Sequence, residues 1–113
     1  MNKMLGLTVA SVEGKVGDDK LRLTFTDGRS VLFYHEQDCC ESVSIEDISG
    51  HWDDIIGYPI TLAEESTNRE ADGFDSNTWT FYRIGTVRGV VVIRWWGSSN
   101  GYYSESVDIK WSE

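Results

Sequence analysis

The sequence predicts a mainly β fold, α+β only by strict count: a single antiparallel β-sheet domain over residues 1–113, sandwich-like or a partly open barrel, with one short helix near 50–57. Two observations carry this. Short runs of alternating or β-branched residues recur along the chain, and Gly, Asp and Asn separate them at turn-like intervals. Only one segment has clear start and stop signals for a helix.

The first run, Thr8 to Glu13, alternates, and the second, Lys20 to Thr26, puts Leu21, Leu23 and Phe25 on one face. Asp27-Gly28 then predicts a type I′ hairpin turn, which needs positive φ at both central residues, with Ser30 to His35 as the partner strand. The polar cluster at 36–41 falls at that strand's end. Ser42 to Asp47 alternates again, with Val43 and Ile45 on one side. A competing reading starts a helix at Ser44, because Ser44-x-x-Asp47 resembles a capping box and Ile45, Ile48, Trp52 and Ile55 stand at helical spacing. Gly50 weakens that reading. Either way a helix is expected over His51 to Ile56, with Asp53 and Asp54 in its first turn, Gly57 just past its end and Pro59 beyond. Ile60 to Glu65 resumes a strand. Ser66 to Asn77 is the least apolar stretch, and Thr67 to Gly73 within it reads as a mobile loop. Strands then follow over Thr78 to Gly85, Val90 to Trp96 and Tyr103 to Trp111, the last two joined by a hairpin turn at Asn100-Gly101.

A chain of 113 residues that is 40% hydrophobic and 12% aromatic supports one core without help from metals or disulfides. Its longest apolar runs, such as Gly89 to Ile93, fall far short of the roughly 20 residues of a membrane helix. No secretory signal is visible at the start, so the expected compartment is the cytosol. The net charge of −9 is unevenly spread: from Glu36 to Asp75 there are twelve carboxylates against Arg69 alone, while the rest of the chain carries a small positive excess. Such an anionic block repels phosphate backbones and anionic membranes and attracts basic protein surfaces. Its simplest alternative role is a solvated acidic loop region.

The segment His35-Glu36-Gln37-Asp38-Cys39-Cys40-Glu41 holds both cysteines, one of two histidines and three carboxylates. Zinc needs a tetrahedron closed from two chain segments, and adjacent cysteines in extended chain point to opposite faces. His35, Asp38 and one of Cys39 and Cys40 supply at most three ligands, with His51 or Asp53 as a fourth. Disulfide geometry disfavours a bond between neighbours. A nucleophilic thiolate needs a nearby cation, whereas Glu36, Asp38 and Glu41 raise a thiol's pKa by repulsion. The pairs Glu46-Asp47, Asp53-Asp54 and Glu64-Glu65 lack calcium-loop spacing, and no phosphate-binding glycine loop or nucleophile elbow is present. Trp95-Trp96 and Tyr102-Tyr103 are adjacent pairs that cannot all face one core on strands, so some must face outward. Their simplest alternative role is a second small apolar cluster with Trp52 or Trp79.

The segments Phe33-Tyr34-His35-x-x-Asp38-Cys39-Cys40-Glu41 and Ser98-Ser99-Asn100-Gly101-Tyr102-Tyr103-Ser104 resemble those of an uncharacterised family of small phage and prophage proteins. The likeness runs from about Leu5 to Trp111 and includes the I-E-D-I run and the short D-D-I-I-G segment. It transfers no catalytic residues. It implies phage accessory cargo, and by analogy an inhibitor of a host defence enzyme such as an anti-CRISPR protein. The expectation is therefore a non-enzymatic acidic binding protein without cofactors, acting in the bacterial host's cytoplasm on a host protein with a basic surface, and touching neither nucleic acid nor membrane directly. Its expected contact residues are Glu36, Asp38, Glu41, Glu46, Asp47, Asp53 and Asp54, with Glu64 and Glu65 beside them and Trp52, Tyr102 and Tyr103 as anchors. The alternative is a small-ligand or metal site at His35, Asp38, Cys39 and Cys40.

Overall fold

Alternation builds the strands. A computed structural model describes residues 2–36, 41–72, 75–99 and 105–112. Among the described residues eight strands are formed: β1 Val9–Glu13, β2 Lys20–Phe25, β3 Ser30–Tyr34, β4 Ser42–Ser49, β5 Leu62–Asp72, β6 Asp75–Thr86, β7 Gly89–Ser99 and β8 Asp108–Ser112. They form two antiparallel four-stranded sheets, ordered β1-β2-β3-β8 and β4-β7-β6-β5. The mainly β expectation holds, as an open sandwich. Leu21, Leu23, Phe25, Val31 and Phe33 from the first sheet face Val43, Ile45, Tyr82, Ile84, Val91, Ile93 and Trp95 from the second, all buried in one core. Phe33 and Tyr82 meet across the two sheets with ring centroids 4.7 Å apart at 59°, a favourable tilted geometry.

The hairpin at Asp27-Gly28 forms with a different turn. Among the described residues no side-chain-bearing residue has positive φ, whereas Gly28 has φ of 94°. Gly28 N donates to Phe25 O and Phe25 N to Arg29 O, which closes a three-residue loop with left-handed glycine at its end rather than a type I′ turn. Asp27 stays out of the left-handed region because its carboxylate receives Arg29 N at 3.0 Å and Arg29 Nε at 2.8 Å. The strand reading of Ser42 to Asp47 holds and extends to Ser49, so no helix starts at Ser44. The expected helix over His51 to Ile56 is instead one 3₁₀ turn, Trp52–Asp54. His51 makes no side-chain cap, and so short a segment has too few hydrogen bonds to offset helix nucleation. A second 3₁₀ turn spans Asn2–Met4.

Two larger corrections concern the second half of the chain. The polar stretch expected to be a loop is paired throughout its described part, from Ser66↔Phe81 to Asp72↔Asp75. Tyr103 to Trp111 is not hairpinned to Val90 to Trp96: β7 pairs with β4 and β6, while β8 pairs with β3 in the other sheet. The chain thus crosses between sheets after Ser99. Asn100-Gly101 itself lies outside the described residues. The strands of the second sheet are 8 to 12 residues long and those of the first 5 or 6. At about 3.4 Å per residue, the long β5–β6 hairpin outreaches the first sheet by many ångströms, consistent with a molecule 45 × 25 × 22 Å in extent.

Candidate functional site

The inner face of the second sheet changes character along its length. Near the core it carries Ala63, Tyr82, Ile84, Val91, Ile93 and Trp95, all buried. Farther out, the same alternation places Glu65, Thr67 and Arg69 on β5 opposite Tyr82, Thr80 and Thr78 on β6. This polar end meets the crossing segment 105–107. The Glu105 carboxylate, 8% exposed, accepts hydrogen bonds from Thr78 Oγ1 at 2.7 Å, Ser76 Oγ at 3.1 Å and Ser99 Oγ. Arg69 Nε donates to Ser76 Oγ at 3.2 Å. Gly97 makes this closeness feasible, because a Cβ there would stand 2.8 Å from Glu105 O and 2.9 Å from its Cβ. Between the overhanging hairpin and the crossing segment lies a cleft of about 410 Å³, lined by Glu65, Thr67, Arg69, Thr80, Glu105 and Val107 among others. Among the described residues no group stands within hydrogen-bond distance of the buried Tyr82 hydroxyl, and burial followed by the nearby Glu65 carboxylate pushes its pKa well above the usual tyrosine range.

The outer face is aromatic. Trp79 and Trp96 are register partners, Trp96 Nε1 donates to Asn77 Oδ1 at 3.2 Å, and the Arg83 guanidinium sits 5.9 Å from the centroid of Phe81. All three rings are half-buried, and none belongs to the core or packs against it. A second cleft, of about 330 Å³, lies here between Glu46, Asn68, Glu70, Trp79, Phe81 and Arg94. Strand β5 runs between the two clefts as the edge of the sheet, with residues 64–70 all exposed. Sequence reasoning finds the start of this edge, as the strand Ile60 to Glu65, and misses its continuation to Asp72, because low apolar content reads as a loop.

The residues expected to bind fall into three groups. Asp38, Cys39, Cys40, Tyr102 and Tyr103 lie outside the described residues. Glu36, Glu46 and Asp53 are exposed, but the structure does not gather them: Glu46 and Asp47 lie on β4 near Arg94, while Asp54 sits five residues away along β7, against Gly89. Glu46 Oε1 is 2.7 Å from Arg94 Nε, and Asp47 accepts from Ser49 Oγ at 3.2 Å. Asp54 is half-buried, with its backbone carbonyl accepting from Thr86 Oγ1. Trp52 is half-buried against the core, so it is not an outward anchor. Glu41 is not part of an anionic face either. Its side chain is fully buried, and Oε1 lies 3.1 Å from His35 Nε2, while His35 Nδ1 lies 2.8 Å from Ser106 O. A carbonyl only accepts, so in the contact with Ser106 the ring donates through Nδ1–H. The pair ties the end of β3 to the crossing segment, and it leaves neither ring nitrogen of His35 open to a metal. Among the described residues no group of three or more His, Cys, Asp or Glu side chains could hold a metal ion.

These features define an open β sandwich whose second sheet ends in a long acidic edge strand flanked by one polar and one aromatic cleft. The chain belongs to a family described as a domain of unknown function (DUF7448), whose model matches residues 2–109. An uncharacterised family is what the resemblance implied. No match was found among curated proteins or among solved structures. Among the described residues no helix is long and apolar enough to cross a membrane.

Proposed function

We propose that this protein is a non-enzymatic acidic binding protein that docks on a basic surface of another protein through the outer face and edge of its second sheet. One observation carries the reading: Trp79, Phe81 and Trp96 are half-buried on a sheet face outside the core, with Glu46, Glu64 and Glu70 around them. Aromatic side chains supply hot-spot energy at interfaces, and complementary charge mainly speeds association. The distributed acids Glu36, Asp47 and Asp53 extend the attractive field without touching the partner. Resemblance to phage and prophage proteins supports a setting in the bacterial host's cytoplasm, with a host defence protein as the partner and inhibition of an anti-CRISPR kind as the outcome.

The test is to capture the partner from host lysate, then reconstitute the complex from two purified proteins. Its affinity is expected to fall roughly tenfold or more as salt is raised through the physiological range. Trp79→Ala or Trp96→Ala is expected to weaken it by roughly 30-fold while leaving the fold intact. A complex indifferent to salt and to both substitutions contradicts the reading.

A further inference from the structure

We infer that the contact made at the edge is strand addition: an extended basic segment of the partner pairs with β5 as a fifth strand of the second sheet. This rests on the binding reading above and names the chemistry of what is bound. The other edges are blocked or short. On β4, Ile45 exchanges backbone bonds with the connection between β1 and β2, Gly17 N to Ile45 O and Ile45 N to Asp18 O, both 2.8 Å. On β1, Thr8 and Val9 bridge Pro59 and Ile56, and Gly57 N donates to Val9 O. Edge β8 has only 5 residues. Edge β5 has 11, and among the described residues no backbone hydrogen bond closes its open side. Every second N–H and C=O along it points away from β6, a ready template for another strand.

Charge selects the occupant. Strand β5 carries Glu64, Glu65, Glu70 and Asp72 against Arg69. Such charges refuse acidic and apolar strands, which protects the edge from aggregation, yet they attract a basic one. A second copy of this chain fits poorly: in the antiparallel register that opposes Glu65 with Arg69, Glu64 opposes Glu70. The two clefts supply the rest. An added strand sends alternate side chains to opposite faces. Those on the inner face lean toward Glu65 and Glu105 in the polar cleft, and those on the outer face toward Glu70 and Phe81. Long basic side chains suit both, through carboxylate pairing inside and stacking on aromatics outside.

The probe is a synthetic peptide of alternating Lys and Thr, compared with its Glu-for-Lys counterpart and with a version N-methylated at alternate backbone positions. Binding is followed by amide shifts and hydrogen exchange of the full-length protein. The basic peptide is expected to bind, to slow exchange within residues 62–72, and to weaken with salt; the acidic peptide is expected not to bind. N-methylation keeps the charge and removes the ladder, so a loss of tenfold or more is expected. Equal binding of the N-methylated peptide, protection outside β5, or no binding of the basic peptide overturns strand addition. Self-association through residues 62–72 without peptide overturns the choice of occupant. A purified partner that protects the Trp79 and Trp96 face but leaves β5 exchange unchanged overturns strand addition while sparing the broader binding reading.

Discussion

Single residues hold the crossing segment in place, and each has a measurable cost. Glu105→Ala removes the buried acceptor that Ser76, Thr78 and Ser99 share. It is expected to lower unfolding stability by about 2–3 kcal/mol, read from urea unfolding. Gly97→Ala drives a Cβ into the Glu105 backbone and is expected to cost about 1–3 kcal/mol. Tyr82 works the other way, since its hydroxyl is buried and has no hydrogen-bond partner among the described residues. Tyr82→Phe is expected to raise stability by about 1 kcal/mol. Its pH dependence has a definite sign. The native phenol holds its proton above the usual range, whereas the unfolded one releases it near pH 10, so above about pH 10 the native state binds more protons and stability falls as pH rises. Tyr82→Phe is expected to reduce that alkaline loss. Asp27 titrates at the acid end: its bonds to Arg29 lower its pKa, so its contribution is full above its ordinary value and is lost as pH falls below it. Asp27→Asn is thus expected to lower the urea midpoint near pH 7, by an amount that shrinks as pH falls below the ordinary carboxylate range.

At the scale of elements, the polar stretch separates what is local from what is not. Residues 66–70 have exposed side chains and lie in a continuous ladder, so their amides toward β6 are expected to exchange slowly despite their composition. Rapid exchange throughout 66–72 would show that hairpin to be open in solution. Strands with one buried face were legible: Leu21, Leu23 and Phe25, or Val91, Ile93 and Trp95, alternate because the core takes every second residue. Where β5 outreaches the opposite sheet, neither face selects apolar residues, and the pattern vanishes although the pairing persists. The sheet change after Ser99 was illegible for a related reason. A turn signal such as Asn-Gly is local, while the choice of β3 as partner for β8 is made by Ile109 and Trp111 packing near the core. The His35–Glu41 pair depends on Ser106, 71 residues from His35. Adjacent acids in sequence therefore suggested a surface cluster, while burial turned one of them inward.

Over the whole molecule, the proposed function assigns the net charge of −9 a general attraction and the second sheet the place of contact. The anionic block read from sequence is dispersed across β4, the 3₁₀ turn and β5, so net charge and contact surface can be separated by experiment. Two triple variants do this with the same change in charge. One is Glu64→Lys, Glu65→Lys and Glu70→Lys on β5; the other is Glu13→Lys, Glu36→Lys and Asp53→Lys elsewhere on the exposed surface. Affinity for the purified partner is the deciding measurement: a loss of roughly 100-fold for the β5 variant and of only a few-fold for the other is the predicted result. Equal losses in the two variants would contradict the assignment of the contact to the acidic edge.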